Sequence, residues 1–149
     1  MMNKTTIGIG AFVIFIISLL VFFGGTRTQE LSGKDFVETY QKTAGAMLLD
    51  VRTPSEFAAG HLEGAVNIDF DNPTFLSEIQ KLEKTKPYFL YCRSGNRSGQ
   101  AITIMKKEGF KNISELQGGI VSNQSALQLI SSPAESEYVV DASDMVNGT

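Results

Sequence analysis

The stretch YFLYCRSGNRS, residues 88–98, decides the fold because its character changes abruptly at Cys92. Residues 88–91 are continuously apolar, which is typical of a central strand that is buried on both faces. Residues 98–107 repeat apolar side chains at helical spacing, and Gly109 lies where a helix C-cap is expected. A short polar loop therefore joins a buried strand to a helix, with Cys92 at the carboxyl end of the strand.

Strands and helices alternate on either side of this unit. A capping box from Thr53 to Glu56, with Pro54 at the first helical position, marks the start of one helix. Short strands that alternate with helices predict an α/β fold with a mostly parallel central sheet and helices on both faces. In such sheets the functional site lies beyond the carboxyl ends of the strands, where Cys92 stands. The other predicted strands cover residues 47–51, 65–68 and 113–116, and the predicted helices cover residues 32–42, 54–60, 74–82, 98–107 and 120–130.

The loop after Cys92 favours a reactive thiolate over an inert core thiol. A tight loop that enters a helix can turn several backbone N–H groups toward one point, and the helix N-terminus reinforces this anion cradle. Gly95 permits a backbone conformation that other residues resist, and Arg93 and Arg97 add positive charge. A buried structural cysteine is the ordinary alternative. With this loop beside it, Cys92 is instead predicted to be a nucleophile that works by covalent, two-step catalysis without a metal or organic cofactor.

Three segments resemble the signatures of the rhodanese family, in the family's order and spacing. They are LLDVRTPSEFAAGHLEGAVNID (residues 48–69), YCRSGNRSGQA (residues 91–101) and LQGGI (residues 116–120). The resemblance implies the rhodanese-like α/β fold, Cys92 as the catalytic nucleophile, and a persulfide intermediate that is cradled by the backbone amides of the loop. It also implies thiosulfate or a persulfide as the sulfur donor and a thiol or a protein as the acceptor. The residues that it assigns to substrate binding are Arg93, Ser94, Gly95, Asn96, Arg97 and Ser98.

Asp50, Arg52 and His61 are predicted to support the site structurally. Asp50 and Arg52 follow a buried strand and are expected to pair, which would hold the loops near the site. The resemblance places His61 in a structural turn, although a histidine could also be a base for Cys92. The role of Arg97 stays open at this point: it could bind an anionic substrate or close the loop through a salt bridge.

Two other functions compete with sulfur transfer. Tyrosine-phosphatase loops resemble His-Cys-x5-Arg, whereas here Tyr91 precedes Cys92 and only four residues separate Cys92 from Arg97. The shorter loop favours a single sulfur atom over a phosphate group. The other alternative is a partner-dependent persulfide carrier or a binding module without catalysis. The chain also departs from the family in having no tryptophan after the paired glycines, where Asn123 stands, so the length and packing of the last helix are less well defined by the pattern.

Composition excludes several other classes of protein. The chain has 149 residues, a formal net charge of −3 and a sequence pI of about 5.1, without a basic stripe that would bind nucleic acid. One cysteine and one histidine leave no internal disulfide, no CxxC redox pair and no cysteine-based or histidine-rich metal site. Any resolving thiol must therefore come from another molecule.

An apolar segment, IGIGAFVIFIISLLVFF at residues 7–23, stands near the start of the chain. As a helix it would span roughly 25 Å, which is short for a bilayer core of about 30 Å. We interpret residues 1–25 as an uncleaved signal anchor that makes a single pass through a membrane and places the domain outside the cytoplasm. The alternative is a cleaved signal peptide and a secreted or periplasmic domain. Residues 26–30 are then predicted as a linker, residues 31–130 as the rhodanese-like domain and residues 131–149 as a polar tail.

Overall fold

The computed structural model describes residues 25–130, which form one five-stranded parallel sheet and a separate two-stranded pair. The strands are β1 (Arg27–Leu31), β2 (Met47–Asp50), β3 (His61–Leu62), β4 (Ala65–Asn67), β5 (Pro87–Tyr91), β6 (Asn112–Leu116) and β7 (Leu129–Ile130). In the large sheet the order is β1-β6-β5-β2-β4, and every neighbouring pair is parallel. Strand β5 is central, as its continuous apolar sequence predicts, while β3 and β7 pair in the antiparallel direction.

Helices cover both faces of the sheet, which confirms the predicted architecture. They are α1 (Gly33–Lys42), α2 (Pro54–Ala59), α3 (Phe75–Lys81), α4 (Asn96–Lys107) and α5 (Gly119–Asn123). Helices α3 and α4 contribute Ile79 and Met105 to one buried cluster, and α1 and α5 contribute Phe36 and Ile120 to a second cluster. The capping box at the start of α2 is complete, because the Thr53 hydroxyl accepts from the backbone N–H of Glu56 and the Glu56 carboxylate accepts from that of Thr53.

The alternation of side chains along β5 sets the side of the sheet on which Cys92 lies. Tyr88, Leu90 and Cys92 belong to the cluster beneath α3 and α4, whereas Phe89 and Tyr91 belong to the cluster beneath α1 and α5. Successive residues of a strand point to opposite faces of the sheet. Cys92 continues this alternation after Tyr91, so its side chain points toward the helix that follows it. The cysteine therefore leaves the strand already facing α4.

The structure corrects the prediction of a linker at residues 26–30. Most of that segment is strand β1, which pairs with β6 from Arg27 opposite Asn112 to Leu31 opposite Leu116. Four of its five residues are exposed, because β1 is the edge strand of the sheet and is held mainly by backbone hydrogen bonds. An edge strand of this kind carries no hydrophobic run that a sequence pattern could detect.

The predicted helix at residues 120–130 is also too long, because α5 ends at Asn123 and residues 129–130 form β7 instead. The Asn123 side chain donates to the carbonyls of Gln117 and Gly119 and accepts from the backbone N–H of Gly33. This side chain thus joins the start of α5 to the start of α1, and the chain beyond α5 leaves the helix so that residues 129–130 can pair with β3. The start of α4 also differs from the prediction: this helix begins at Asn96, two residues earlier than the helical pattern predicts.

The predicted signal anchor at residues 1–25 lies almost entirely outside the described residues, and so does the predicted tail at residues 131–149. Among residues 25–130, no helix combines the length and the apolar character that crossing a bilayer requires.

Candidate active site

Cys92 lies at the carboxyl end of the central strand, where a hydrogen-bonding loop surrounds its sulfur. Its side chain is 1% exposed. The backbone N–H of Gly95 donates to Sγ at 3.1 Å, and the Ser98 hydroxyl lies 3.4 Å from the same atom. Donors at these positions stabilise negative charge on sulfur, because an N–H bonds more strongly to an anion than to a neutral thiol.

Gly95 makes this geometry possible. Its φ of +92° lies in the left-handed region, which an L side chain adopts only with strain. The turn at Gly95 starts α4 at the next residue, so the first-turn N–H groups of the helix stand at the Cys92 end without intrahelical partners. Arg93, Ser94 and Asn96 are exposed around the buried sulfur. The loop therefore brings the Gly95 N–H and the start of α4 to the buried sulfur.

The paired glycines at 118–119 hold the far side of the loop. The backbone N–H groups of Ile120 and Val121 donate to the carbonyls of Cys92 and Arg93 at 3.1 and 3.0 Å. A Cβ on Gly119 would lie 2.5 Å from the Arg93 carbonyl oxygen, which is closer than two such atoms can approach. Only glycine lets the start of α5 pack against the loop, which gives the LQGGI segment a structural role in shaping the site.

Arg97 forms ion pairs with two carboxylates. Its Nη1 and Nη2 atoms lie 2.8 and 2.9 Å from the two carboxylate oxygens of Glu56, and Nη1 lies 3.4 Å from Asp71. The Arg97 hydrogen bond holds the pKa of Glu56 at about 2, well below its usual value. This geometry corresponds to loop closure, one of the two roles predicted for Arg97. The binding role stays a prediction, because no contact in the structure tests it.

Glu56 therefore has a second role that the sequence analysis missed. The capping box accounts for one set of its hydrogen bonds, and the contact with Arg97 adds a bidentate bridge from α2 to α4. No local spacing could reveal this bridge, because Glu56 and Arg97 are 41 residues apart.

Asp50 and Arg52 pair as predicted and are buried together. The Arg52 guanidinium donates to both carboxylate oxygens of Asp50, with Nη2 at 2.6 Å, and Nη2 also donates to the Gly60 carbonyl. The Asn67 side-chain amide donates to the carbonyls of Asp50 and Arg52. The pair thus connects the ends of β2 and β4 to the end of α2, which agrees with structural support of the loops at this edge of the sheet.

His61 is the first residue of β3, directly after Gly60 at the end of α2. Its Nδ1 is 3.0 Å from the Phe57 carbonyl oxygen, and its ring stacks on the Phe57 ring with centroids 3.8 Å apart. The side chain is mostly buried, and β3, to which it belongs, pairs with β7. These contacts favour the structural role over that of a base for Cys92.

A buried acidic residue, Glu115, lies behind the loop and was not predicted. Its Oε1 is 2.6 Å from the Ser98 hydroxyl, and its side chain faces the loop close to Gly95 and Gly99. Burial raises the pKa of Glu115 above its usual value. The sequence carries a signal for it, because a glutamate in the otherwise buried strand β6 must have a partner.

The part of the chain that the structure describes contains no group of three or more His, Cys, Asp or Glu side chains that could hold a metal ion.

Comparison with known proteins identifies relatives across this domain. A family model described as "Rhodanese-like domain" matches residues 34–126. The chain is 35% identical over 109 residues to the uncharacterized protein YqhL of Bacillus subtilis, with 73% of this chain and 82% of that protein covered. It is 32% identical over 94 residues to a protein named sulfurtransferase from Allochromatium vinosum, with 62% of this chain and 85% of that protein covered.

Other relatives are much longer than the matched region. The tRNA uridine(34) hydroxylase of Pelagibacter ubique is 39% identical over 77 residues, which cover 51% of this chain and 26% of that protein. Among solved structures, the rhodanese-related protein of Thermoplasma volcanium has a TM-score of 0.60 at 27% identity, and the match covers 70% of this chain and 99% of that one. The family match therefore spans the chain from within α1 to beyond α5 and includes the loop that carries Cys92.

Proposed function

Because the chain belongs to the rhodanese-like domain family, we propose that it transfers a sulfane sulfur from a small donor to a thiophilic acceptor through a persulfide on Cys92. The observation that carries this proposal is the Gly95 N–H, which donates to Sγ at 3.1 Å at the start of α4. The relatives' names give further support, since one protein matched over 85% of its length is a sulfurtransferase.

The proposed cycle has two steps, each balanced in atoms and charge. With thiosulfate as donor, the Cys92 thiolate attacks the outer sulfur, the S–S bond of thiosulfate breaks, and sulfite leaves with the bonding electron pair. The persulfide anion that remains extends the side chain by one sulfur atom, on which the loop amides can stabilise the negative charge. An acceptor thiolate then attacks this outer sulfur, the Cys92 S–S bond breaks, and the Cys92 thiolate is restored.

The acceptor must come from outside the chain. Cys92 is the one cysteine in the sequence, so no second thiol of the chain can take the sulfur from the persulfide. A small thiol, cyanide or a protein thiol would serve. A small acceptor would make the protein an independent enzyme, whereas a partner protein as acceptor would make it a persulfide carrier. The enzyme and the carrier use the same Cys92 chemistry.

Arg97 supports sulfur transfer over phosphate transfer. A cysteine phosphatase needs donors that surround the oxygens of a transferring phosphate. In this chain the guanidinium of Arg97 is engaged by Glu56 and Asp71. The loop between Cys92 and Arg97 is also short, which suits one sulfur atom better than a tetrahedral anion.

Steady-state assays of the purified protein test this proposal. We expect thiocyanate to form from thiosulfate and cyanide, Cys92→Ser to abolish it, and an aryl phosphate to remain uncleaved under the same conditions. Hydrolysis of the aryl phosphate without sulfur transfer would assign the site to phosphate chemistry instead.

We also propose that the apolar segment at residues 7–23 anchors the domain to a membrane and places it on the extracytoplasmic side. A C-terminal reporter active outside the cytoplasm, together with recovery of the full-length chain in the membrane fraction, would support this arrangement. Activity of the reporter in the cytoplasm would exclude it, and release of a shortened chain would indicate a cleaved signal peptide.

A further inference from the structure

The Ser98 hydroxyl connects Cys92 to a buried carboxyl group. Its oxygen lies 3.4 Å from the Cys92 Sγ and 2.6 Å from the Glu115 Oε1, and it is also 3.2 Å from the Gly95 carbonyl oxygen. Ser98 is fully buried, and Glu115 is 9% exposed. A thiol, a hydroxyl and a carboxyl group therefore form one continuous chain of contacts within the protein.

A serine hydroxyl has one proton to donate but can accept hydrogen bonds at the same time. Two arrangements of the three groups follow. In the first, the Cys92 thiol donates to Ser98, which donates to an ionised Glu115. In the second, a protonated Glu115 donates to Ser98, which donates to a Cys92 thiolate. The two arrangements contain the same number of protons and the same net charge.

We propose that Ser98 and Glu115 form a proton relay that takes up the proton of the Cys92 thiol and holds it while the thiolate reacts. In the transfer, the thiol proton moves to the Ser98 oxygen as the original hydroxyl proton of Ser98 moves to Glu115 Oε1. Cys92 gains the negative charge that Glu115 loses. The relay rests on the proposed function only in that Cys92 is the nucleophile. Glu115 is a positioning residue, because it acts on Cys92 through Ser98.

The surroundings of Glu115 suit a group that holds a proton. Burial penalises its ionised form and raises its pKa, and the nearby carboxylate of Glu30 acts in the same direction. The Ser98 hydrogen bond, whose effect is smaller than that of burial but larger than that of Glu30, and the positive charge of Lys106 on α4 lower the pKa. On the neighbouring strand β5, the residue opposite Glu115 is Leu90, which is uncharged.

The relay also matches the charge that the cycle places on sulfur. When Cys92 carries a thiolate or a persulfide anion, a second negative charge behind Ser98 would oppose it. A protonated Glu115 removes that charge and lets Ser98 point its hydrogen at the sulfur. The site would thus keep one negative charge in both arrangements and move it to the atom that reacts.

The pH dependence of Cys92 alkylation tests the relay without any sulfur donor. Iodoacetamide modifies thiolates, and Cys92 is the one cysteine of the chain, so the rate constant reports on one site. Two groups that interact by more than about 1 pK unit lose their protons in two macroscopic steps. We expect the full-length protein to show two ionisations in its rate profile and Glu115→Gln to show one.

Glutamine keeps the shape of Glu115 and can still donate to Ser98, but it cannot accept the thiol proton. Glu30→Gln is the matched control, since it removes a neighbouring carboxylate that lies opposite Glu115 on β1 and should retain both steps. Ser98→Ala should reduce the profile to one step by interrupting the chain of contacts. A single ionisation in the unaltered protein, or two unchanged steps in Glu115→Gln, would overturn the relay.

The outcome is separable from the test of sulfur transfer. Two ionisations in the alkylation profile without thiocyanate formation would leave the relay standing and remove the proposed function. Thiocyanate formation that needs Cys92, combined with a single ionisation, would remove the relay alone. Because the profile of the unaltered protein is already decisive, the test holds even where a variant does not fold.

Discussion

Gly119 lies so close to Arg93 that a Cβ at position 119 would stand 2.5 Å from the Arg93 carbonyl oxygen and 2.6 Å from the Ser94 backbone nitrogen. The contact joins the start of α5 to the loop that carries the nucleophile. Backbone hydrogen bonds from Ile120 to Cys92 and from Val121 to Arg93 fix the same boundary. The shape of the loop therefore depends on a residue 27 positions after Cys92 as well as on the loop itself.

Substitution Gly119→Ala should damage both stability and sulfur transfer. The φ of +61° alone costs an alanine about 1–2 kcal/mol, and the clash with Arg93 adds a displacement of the loop. We expect chemical denaturation to show a loss of more than about 2 kcal/mol in the free energy of unfolding. Gly45→Ala is the control, since Gly45 has a φ of +69° but nothing within 4 Å of its Cβ position. Equal losses in the two variants would contradict a steric role for Gly119.

Removing one member of the Asp50–Arg52 pair should destabilise the fold strongly. Asp50 is 0% exposed and Arg52 is 6% exposed, so either partner alone would be a buried charge without compensation. We expect Arg52→Met to lower the free energy of unfolding by about 3–5 kcal/mol. A double variant, Asp50→Leu with Arg52→Met, should lose less, because it removes both charges. A double-mutant cycle measures this coupling, and strictly additive losses would argue against it.

The Glu56–Arg97 bridge should make stability depend on acid pH. The folded pKa of Glu56 is lowered to about 2, so the bridge stabilises the protein above the ordinary glutamate pKa and is lost as the pH falls through the folded value. We expect Glu56→Gln to be less stable than the unaltered protein by about 1–2 kcal/mol near pH 6, after allowance for solvent screening.

The difference between these two proteins should vanish as the pH falls from about 5 to about 2. Glutamine suits this comparison because it preserves the N3 position of the capping box while it removes the charge. Urea denaturation across this pH range measures the difference, and one that stays constant would show that the charge of Glu56 does not contribute.

The two arginines of the loop should differ in what they do to thiosulfate turnover. Arg93 is exposed, whereas Arg97 is engaged by Glu56 and Asp71. We expect Arg93→Ala to raise the Michaelis constant for thiosulfate several-fold, as loss of about 1 kcal/mol of binding would do. Arg97→Ala should mainly lower the melting temperature. A large increase in the Michaelis constant for Arg97→Ala, with its fold intact, would assign the binding role to Arg97.

The sequence predicts the core of this fold well because the information there is local. The apolar run of β5, the capping box at Thr53 and Glu56 and the helical spacing in α4 are all confirmed by the structure. Strand β1 could not be predicted in this way, since an exposed edge strand lacks an apolar pattern and depends on pairing with β6. The end of α5 was missed for a related reason, because residues 129–130 pair with β3, which lies far away in the sequence.

The residues of the candidate site differ in the same way between those that local sequence predicts and those that it does not. Cys92, Gly95 and the flanking arginines lie within one short segment, so their association is visible in the sequence. The bridge from Glu56 to Arg97 and the contact of Glu115 with Ser98 join residues 41 and 17 positions apart. Contacts of this kind appear only when the sheet brings the ends of its strands together at one edge.

The intact mass of the protein after reaction with thiosulfate tests the central claim most directly. Cys92 is the one place on the chain where a persulfide can form, so the protein should gain the mass of one sulfur atom. The gain should be absent in Cys92→Ser and should be reversed when cyanide or a thiol is added. No gain in mass with thiosulfate or any other sulfane donor, in a folded protein whose Cys92 still reacts with iodoacetamide, would contradict the account.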